Sequence, residues 1–314
     1  MNRRKHRPGQ NRTGTHHPET DGRAARPPAQ SRPDSGGKPA HGQGPRHAPA
    51  RGEFRGNSRG NSRGGSKGGF WLYGQHACLA ALANPERYIH RLVLTREAQA
   101  QLGGKLPAGS PQPEILDRAR LDSLLPPGAV HQGIALQAEP LDDPGVESLA
   151  QPPASGCDIV LLLDQVTDPR NIGAILRSAA AFGARALIVT DRHAPEATGA
   201  LAKAASGGLE AVPMLRVSNL VRAMDLLAEY GFWRVGLAAD ADRDLSQAVK
   251  DVKRLALVLG AEDEGLRRLT AEHCDFLAHL PMPGSGPGGN AMVESLNVSV
   301  AASIALYEAS KRPI

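Results

Sequence analysis

The stretch "DIVLLLDQVTDPRNIGAILRSAAAFGARALIVT" (residues 158–190) decides the fold. Its apolar run "IVLLL" (159–163) has the length of a strand and is far too short to span a bilayer. A loop rich in Asp, Pro and Asn follows, then a helical pattern through "NIGAILRSAAAFGA", then a second apolar run, "ALIVT". Strand, helix and strand in this order form a βαβ unit. Near-continuous apolar strands of this kind belong to parallel sheets covered on both faces.

Towards the C-terminus the alternation continues: "GALAKAAS", "AVPML", "NLVRAMDLLAEY", "WRVGLAA", "RLALVLG", "FLAHLP" and a closing helix in "SLNVSVAASIALYEASKR" (295–312). Residues 157–314 therefore read as a doubly wound α/β domain with a parallel sheet. Ligands of such sheets sit outside the carboxyl ends of the strands, so the polar residues that matter should follow strands directly.

Towards the N-terminus, "DDPGVESLAQPPASG" (142–156) has the composition of a linker. Before it, residues 70–141 carry a smaller αβ pattern, with a helix near 76–83 and strands at "RLVLT" (91–95) and "GIALQA" (133–138). Residues 1–69 stand apart. They hold 15 Lys and Arg against 4 Asp and Glu, whereas the rest of the chain holds 22 against 28, so the basic balance belongs to the tail. Repeated Arg-Gly in "RGEFRGNSRGNSRGGSKGG" (51–69) cannot bury enough surface to offset chain entropy, and the tail reads as a disordered polycation whose natural partner is phosphate. A solubilising tail is the bland alternative.

Cys78, Cys157 and Cys274 are scattered, odd in number and without metal-ligand spacing, which suits a reduced chain with no metal site. No apolar segment follows the basic N-terminus. The expectation is a cytoplasmic protein with no membrane partner.

Three loops carry the candidate chemistry. After "IVLLL", Asn171 and Gly173 lie near a helix start and Arg177 lies six residues after Asn171, an arrangement suited to an anion or, more plainly, to a capping Asn and a surface Arg. After "LALVL", Gly260 and Gly265 imply a tight backbone, and Glu262 is placed at the ligand edge of the sheet. After "FLAHL", "PMPGSGPGGNAMVE" (281–294) contains a literal Gly-x-Gly-x-x-Gly that Pro287 interrupts and no helix follows at once, so it is not read as a dinucleotide fingerprint. At the start of the closing helix, Ser295 has the hydroxyl of a cap, while Asn297, a mediocre helix former, calls for a second job or a solvent-facing position.

Taken in order, "DPRNIGAILRSAAAFGA", "LVLGAEDEGLRRLT" and "LPM…SLNVSVAASIALYE" resemble the three motifs of the SpoU/TrmH family of RNA ribose 2′-O-methyltransferases. "YGQHACLAAL" and "HQGIAL" resemble the small RNA-binding domain that precedes catalysis in bacterial 23S rRNA guanosine 2′-O-methyltransferases. The resemblance implies a trefoil-knotted SPOUT α/β domain, a homodimer, and S-adenosylmethionine held largely through backbone groups at Gly260, Leu280 and Leu296. It implies catalytic roles for Asn171, Arg177, Glu262, Ser295 and Asn297. Ser295 would cap the last helix, and Asn297 would hold the catalytic groups in place. Because a guanidinium stays protonated at physiological pH, Arg177 is read as engaging the 2′-hydroxyl and a neighbouring phosphate, with the proton passing to that phosphate. The implied substrate is 23S ribosomal RNA, with transfer RNA as the alternative. An inactive RNA-binding or ribosome-assembly protein on the same fold is the rival reading. Two departures stand out: the segment between Met282 and Ser295 is longer than is usual in the family, and Asp263 stands where the family often has Gly.

Overall fold

The computed structural model describes residues 69–154, 158–192, 195, 198–262, 264–283 and 295–311. The tail reading, Cys157, Asp263 and the glycine cluster of 284–289 lie outside the described residues.

The small domain runs β1 (Phe70–Tyr73), α1 (Gln75–Ala83), β2 (Ile89–Leu94), α2 (Arg96–Leu102), β3 (Glu114–Ile115), α3 (Arg118–Leu124) and β4 (Ile134–Ala138). Its strands form a mixed sheet in the order β1-β4-β2-β3. Leu72, Leu92, Leu94, Ile134 and Leu136 are fully buried in it. The anticipated strands and first helix are present within two residues of their expected ends.

The segment with linker composition is docked. A 3₁₀ turn at Val146–Leu149 places Val146 and Leu149 in the apolar cluster of the second domain, among Val160, Leu162, Leu220 and Phe232. Composition alone could not separate a free linker from one that buries two side chains.

The second domain runs β5 (Asp158–Leu163), α4 (Pro169–Ala181), β6 (Ala186–Thr190), α5 (Gly199–Ala205), α6 (Gly208–Ala211), β7 (Met214–Val217), α7 (Leu220–Glu229), β8 (Trp233–Leu237), α8 (Leu245–Ala248), β9 (Arg254–Leu259), α9 (Arg268–Glu272), β10 (Phe276–Ala278) and α10 (Val298–Ser310). The strand expected at "AVPML" is displaced: Ala211 ends α6 and the strand begins at Met214, after Pro213, which has no N–H to give a ladder.

All pairings in this sheet are parallel, in the order β10-β8-β9-β5-β6-β7. Every residue of β5 is buried, as its unbroken apolar run requires. From β5 the chain steps outward through β6 and β7, then crosses to β8 and returns to lay β9 against β5, with Leu161 opposite both Leu187 and Leu257. The direction of winding therefore reverses between β5 and β9. Their carboxyl ends form the topological switch point where such sheets bind ligands.

On α4 the buried residues Ile172, Gly173, Ile175, Leu176 and Ala179 form one stripe at helical spacing, and α10 packs beside it, joined by a hydrogen bond between the hydroxyls of Ser178 and Ser303 at 2.7 Å. The trefoil knot implied by the family resemblance concerns threading of the chain between β10 and α10, of which 284–294 lie outside the described residues. No helix among the described residues is long and apolar enough to cross a membrane.

Candidate active site

Each site residue is placed by the end of a strand. Asp168 caps α4 by accepting from the amide of Arg170 at 2.9 Å, and Pro169 occupies the first helical position, where its missing N–H costs nothing. Asn171 therefore falls on the first turn, over the switch point. After β9, the loop folds back on itself, with the amide of Gly265 donating to the carbonyl of Ala261 at 2.9 Å. A Cβ on Gly260 would lie 2.0 Å from the carbonyl carbon of Gly265. The tight approach foreseen at Gly260 is thus made by the loop's own backbone, and it turns Glu262 towards α4 and α10.

The Glu262 carboxylate is the hub. Its Oε1 accepts from Asn297 Nδ2 at 2.6 Å, Asn171 Nδ2 at 2.9 Å and the amide of Val298 at 3.3 Å. Asn297 Nδ2 also lies 3.1 Å from Asn171 Oδ1. On its other side, Asn297 Oδ1 accepts from the amide and the hydroxyl of Ser299 at 2.9 and 2.6 Å and from the amide of Val300 at 3.4 Å. Since the oxygen must face those donors, the NH₂ group can only face Glu262, and the amide orientation is fixed by its partners. The carboxylate also lies at the positive end of a 13-residue helix. Among the described residues no cation pairs with it.

Asn297, not Ser295, is the cap of α10, which begins three residues later than the sequence implied. This resolves why an asparagine stands there: one side chain both starts the helix and holds the acid. Ser295 instead lines the adjoining cavity.

That cavity, of about 410 Å³, lies against the loop that carries Glu262. Gly260, Leu280 and Leu296, the three positions implied for the cofactor, all line it, with Ser295 and Val298. Its ionisable lining groups are the carboxylates of Asp240, Glu262 and Glu264, and no Lys, Arg or His joins them among the described residues. A fourth loop, Ala238–Asp240 after β8, completes the wall. Sequence reasoning passed over it, although the rule that ligands meet the carboxyl ends of strands applied to "WRVGLAA" as well. A second omission is Asp164, fully buried, whose carboxylate accepts from Arg267 Nε at 2.7 Å and from its amide at 3.1 Å, tying the loop after β5 to the loop after β9.

Arg177 is not brought into this network. It is exposed on α4, and its guanidinium makes no hydrogen bond or ion pair among the described residues. The reason is helical geometry: six residues at about 100° each leave it roughly 120° around the helix from Asn171.

Residues 158–307 match the SpoU rRNA Methylase family, and residues 71–144 match the RNA 2′-O ribose methyltransferase substrate-binding domain. The chain belongs to the SpoU rRNA methylase family. Among its relatives, the 23S rRNA (guanosine-2′-O-)-methyltransferase RlmB of Escherichia coli (strain K12) is 42% identical over 251 residues, which cover 77% of this chain and 98% of that protein. RlmB of Photorhabdus laumondii is 40% identical, over 77% of this chain and 97% of that protein. Of solved structures, the SpoU methyltransferase AviRb from Streptomyces viridochromogenes superposes with a TM-score of 0.62 at 24% identity, over 78% of this chain and 89% of that one. An AdoMet-bound rRNA methyltransferase from Sinorhizobium meliloti gives 0.61 at 23%, over 76% of this chain and 86% of that one. These two likenesses concern the fold.

Proposed function

We propose that the chain transfers a methyl group from S-adenosylmethionine to the ribose 2′-hydroxyl of a guanosine in 23S ribosomal RNA. The observation that carries this reading is the Asn171–Glu262–Asn297 network beside a cavity that holds three carboxylates and no cation among the described residues. The cavity fits the donor: its volume is in the range of small-molecule sites, and an acid-rich wall suits a ligand carrying a sulfonium and an ammonium group. When bound, S-adenosylmethionine supplies an electrophilic methyl group.

The chain's part is alignment and charge. Gly260, Leu280 and Leu296 offer backbone groups to the donor, and Ser295 a hydroxyl at the rim. Glu262, fixed through Oε1, keeps the turns of three strands in register, so that the reacting atoms meet in line. Its Oε2 has no hydrogen-bond partner among the described residues and faces no competing cation there. Asn171 and Asn297 act as positioning residues through Glu262. Arg177, without a protein partner among the described residues, is assigned to the RNA: it engages the 2′-hydroxyl and its neighbouring phosphate, and the hydroxyl proton passes to that phosphate.

A homodimer belongs to the same proposal. Val300, Ile304 and Tyr307 recur at helical spacing on α10 and are 45%, 39% and 50% exposed. Such a stripe on the outer face of the helix that caps the site fits a two-fold self-contact. A ribosomal RNA substrate implies the cytoplasm. The decisive experiment maps ribose methylation across ribosomal and transfer RNA in cells with and without this chain. Loss of one guanosine 2′-O-methyl mark in 23S rRNA is expected; an unchanged map, or loss confined to transfer RNA, overturns the assignment.

A further inference from the structure

Arg87 is buried, and all three nitrogens of its guanidinium donate. Nη2 and Nε reach the two carboxylate oxygens of Glu210 at 2.7 and 3.2 Å, Nη1 reaches the carbonyl of Glu139 at 2.6 Å, and the group lies 5.9 Å from the centre of the Phe70 ring. Asn84 Nδ2, at the end of α1, adds a bond to Glu210 at 2.8 Å. Arg87, Asn84 and Glu139 belong to the small domain, whereas Glu210 stands on α6 of the second. We infer that this clamp sets which nucleotide is methylated, by holding the small domain at one fixed distance from α4; the inference rests on the function proposed above.

The side chains of the pair are 1% and 8% exposed. A pair so buried adds little net stability over apolar residues of the same size, because desolvation offsets the attraction. What apolar residues would not supply is direction: a two-pronged contact between guanidinium and carboxylate has one geometry, whereas apolar surfaces can slide. The packing between α6 and the site is equally strict. A Cβ on Gly208, at the start of α6, would lie 2.6 Å from the carbonyl oxygen of Leu176 and 2.9 Å from the amide nitrogen of Arg177. A Cβ on Gly173 of α4 would lie 2.5 Å from the Cβ of Ala204 on α5. On another side α5 meets β1, where a Cβ on Gly199 would lie 2.4 Å from the carbonyl oxygen of Trp71. Close contacts therefore run from β1 through α5 and α6 to α4, the helix that carries Asn171 and Arg177, and leave little side chain between to absorb a shift.

The connection between the domains is equally short. Glu139 is held by Arg87, and Asp143 is already fixed to the second domain, its Oδ2 accepting from the amide of Arg216 at 2.7 Å. Only Pro140 to Asp142 intervene. A further tie runs from Lys203 Nζ on α5 to the carbonyl of Val130 at 2.5 Å. Successive nucleotides of a strand follow at a spacing on the order of 3 Å along its axis. A hinge movement of that size would offer Arg177 the next ribose, and the ties remove that freedom.

The test uses the full chain, S-adenosylmethionine and transcribed 23S rRNA, comparing wild type with R87M/E210M, which deletes both charges and keeps long side chains in place. Methylated riboses are mapped by position. Wild type should mark one nucleotide. The variant should spread its methyl groups over that nucleotide and its neighbours, with selectivity for the target down about tenfold. Hydrogen exchange of the amides in β1, α5 and α6 should be about tenfold faster than in wild type. Affinities for RNA and for S-adenosylmethionine should be unchanged. If R87M/E210M does not fold, E210Q, which keeps the shape of the acid without its charge, gives the same readings. A folded variant with the wild-type methylation pattern overturns the inference. So does a lower yield at the same single position, which would make the pair a structural support only. If wild type methylates no RNA, the enzymatic reading fails and exchange alone decides on the clamp: equal rates in the two chains overturn it.

Discussion

At the amino ends of the sheet, Asp158 is buried and receives Arg254 Nε at 2.6 Å and Arg185 Nη1 at 3.0 Å. The same two guanidiniums direct their remaining donors to the carbonyls of Ser148, Leu149, Ala150, Gln151 and Tyr230, and Arg254 stacks over Phe232. At the carboxyl ends, Glu262 is held by amides alone and opens onto a cavity. One end matches charge with charge and engages both guanidiniums on several sides. At the other end the carboxylate has no cationic partner among the described residues and borders a cavity. The first arrangement fastens a packed linker; the second leaves an electrostatic demand that a cationic ligand can meet.

The largest effect should come from breaking the amino-end cluster. Asp158→Ala strands two guanidiniums in a mostly buried site, and loss of one partner of a buried pair costs about 3–5 kcal/mol. Urea unfolding should show that loss, while S-adenosylmethionine binding to the folded fraction stays normal. A change below about 1 kcal/mol would mean the cluster is no more than a surface ion pair.

At the other end the expected result is reversed. Asn297→Ser keeps a good helix cap but deletes the NH₂ that holds Glu262 at 2.6 Å. Stability should move by a few tenths of a kcal/mol, and methylation should fall about 100-fold, as displacement of reacting groups by about 1 Å can cost. Unaltered turnover would remove the network from the reaction. Gly260→Ala is expected to be milder and to act on the donor. Its new methyl group would meet the backbone of Gly265 and Leu266, so the loop must shift. S-adenosylmethionine affinity should weaken about tenfold, or about 1.4 kcal/mol, with RNA affinity intact.

How much of this was legible in the sequence follows the same division. Continuous apolar runs specified the central strands, because a strand buried on both faces has no polar positions to confuse its reading. Motif order brought Asn171, Glu262, Ser295 and Asn297 to the sheet's carboxyl edge, and Gly260, Leu280 and Leu296 to one cavity wall. Cap identity was not legible: Ser295 and Asn297 are both good caps, and only the hydrogen bonds to Ser299 and Val300 choose between them. A difference within one motif was not legible either: Asn171 bonds Glu262, whereas the Arg177 side chain makes no hydrogen bond among the described residues. The Asp158–Arg185–Arg254 cluster was invisible, since its members are far apart in sequence and no local pattern links them.

The smallest effect sharpens the comparison through pH. Asp275 also lies at the amino edge, before β10. Burial pushes its carboxyl up, but hydrogen bonds from Arg234, at 2.8 Å from Nη2 and 2.7 Å from its amide, more than reverse this and leave it below the usual carboxylate value. A group depressed in the folded state adds stability above its unfolded pKa, near about 4, and loses it as pH falls through the folded value. Asp275→Asn should therefore be less stable than wild type at neutral pH, and the gap should close on acidification below about pH 4. Melting curves across that range read it directly, and a gap of constant size would assign the loss to packing. Because Arg234 keeps Asp225 at 3.7 Å as a weaker partner, the neutral-pH gap should be smaller than that of Asp158→Ala. The amino edge would then show graded dependence on charge pairing, with burial of the pair setting the grade.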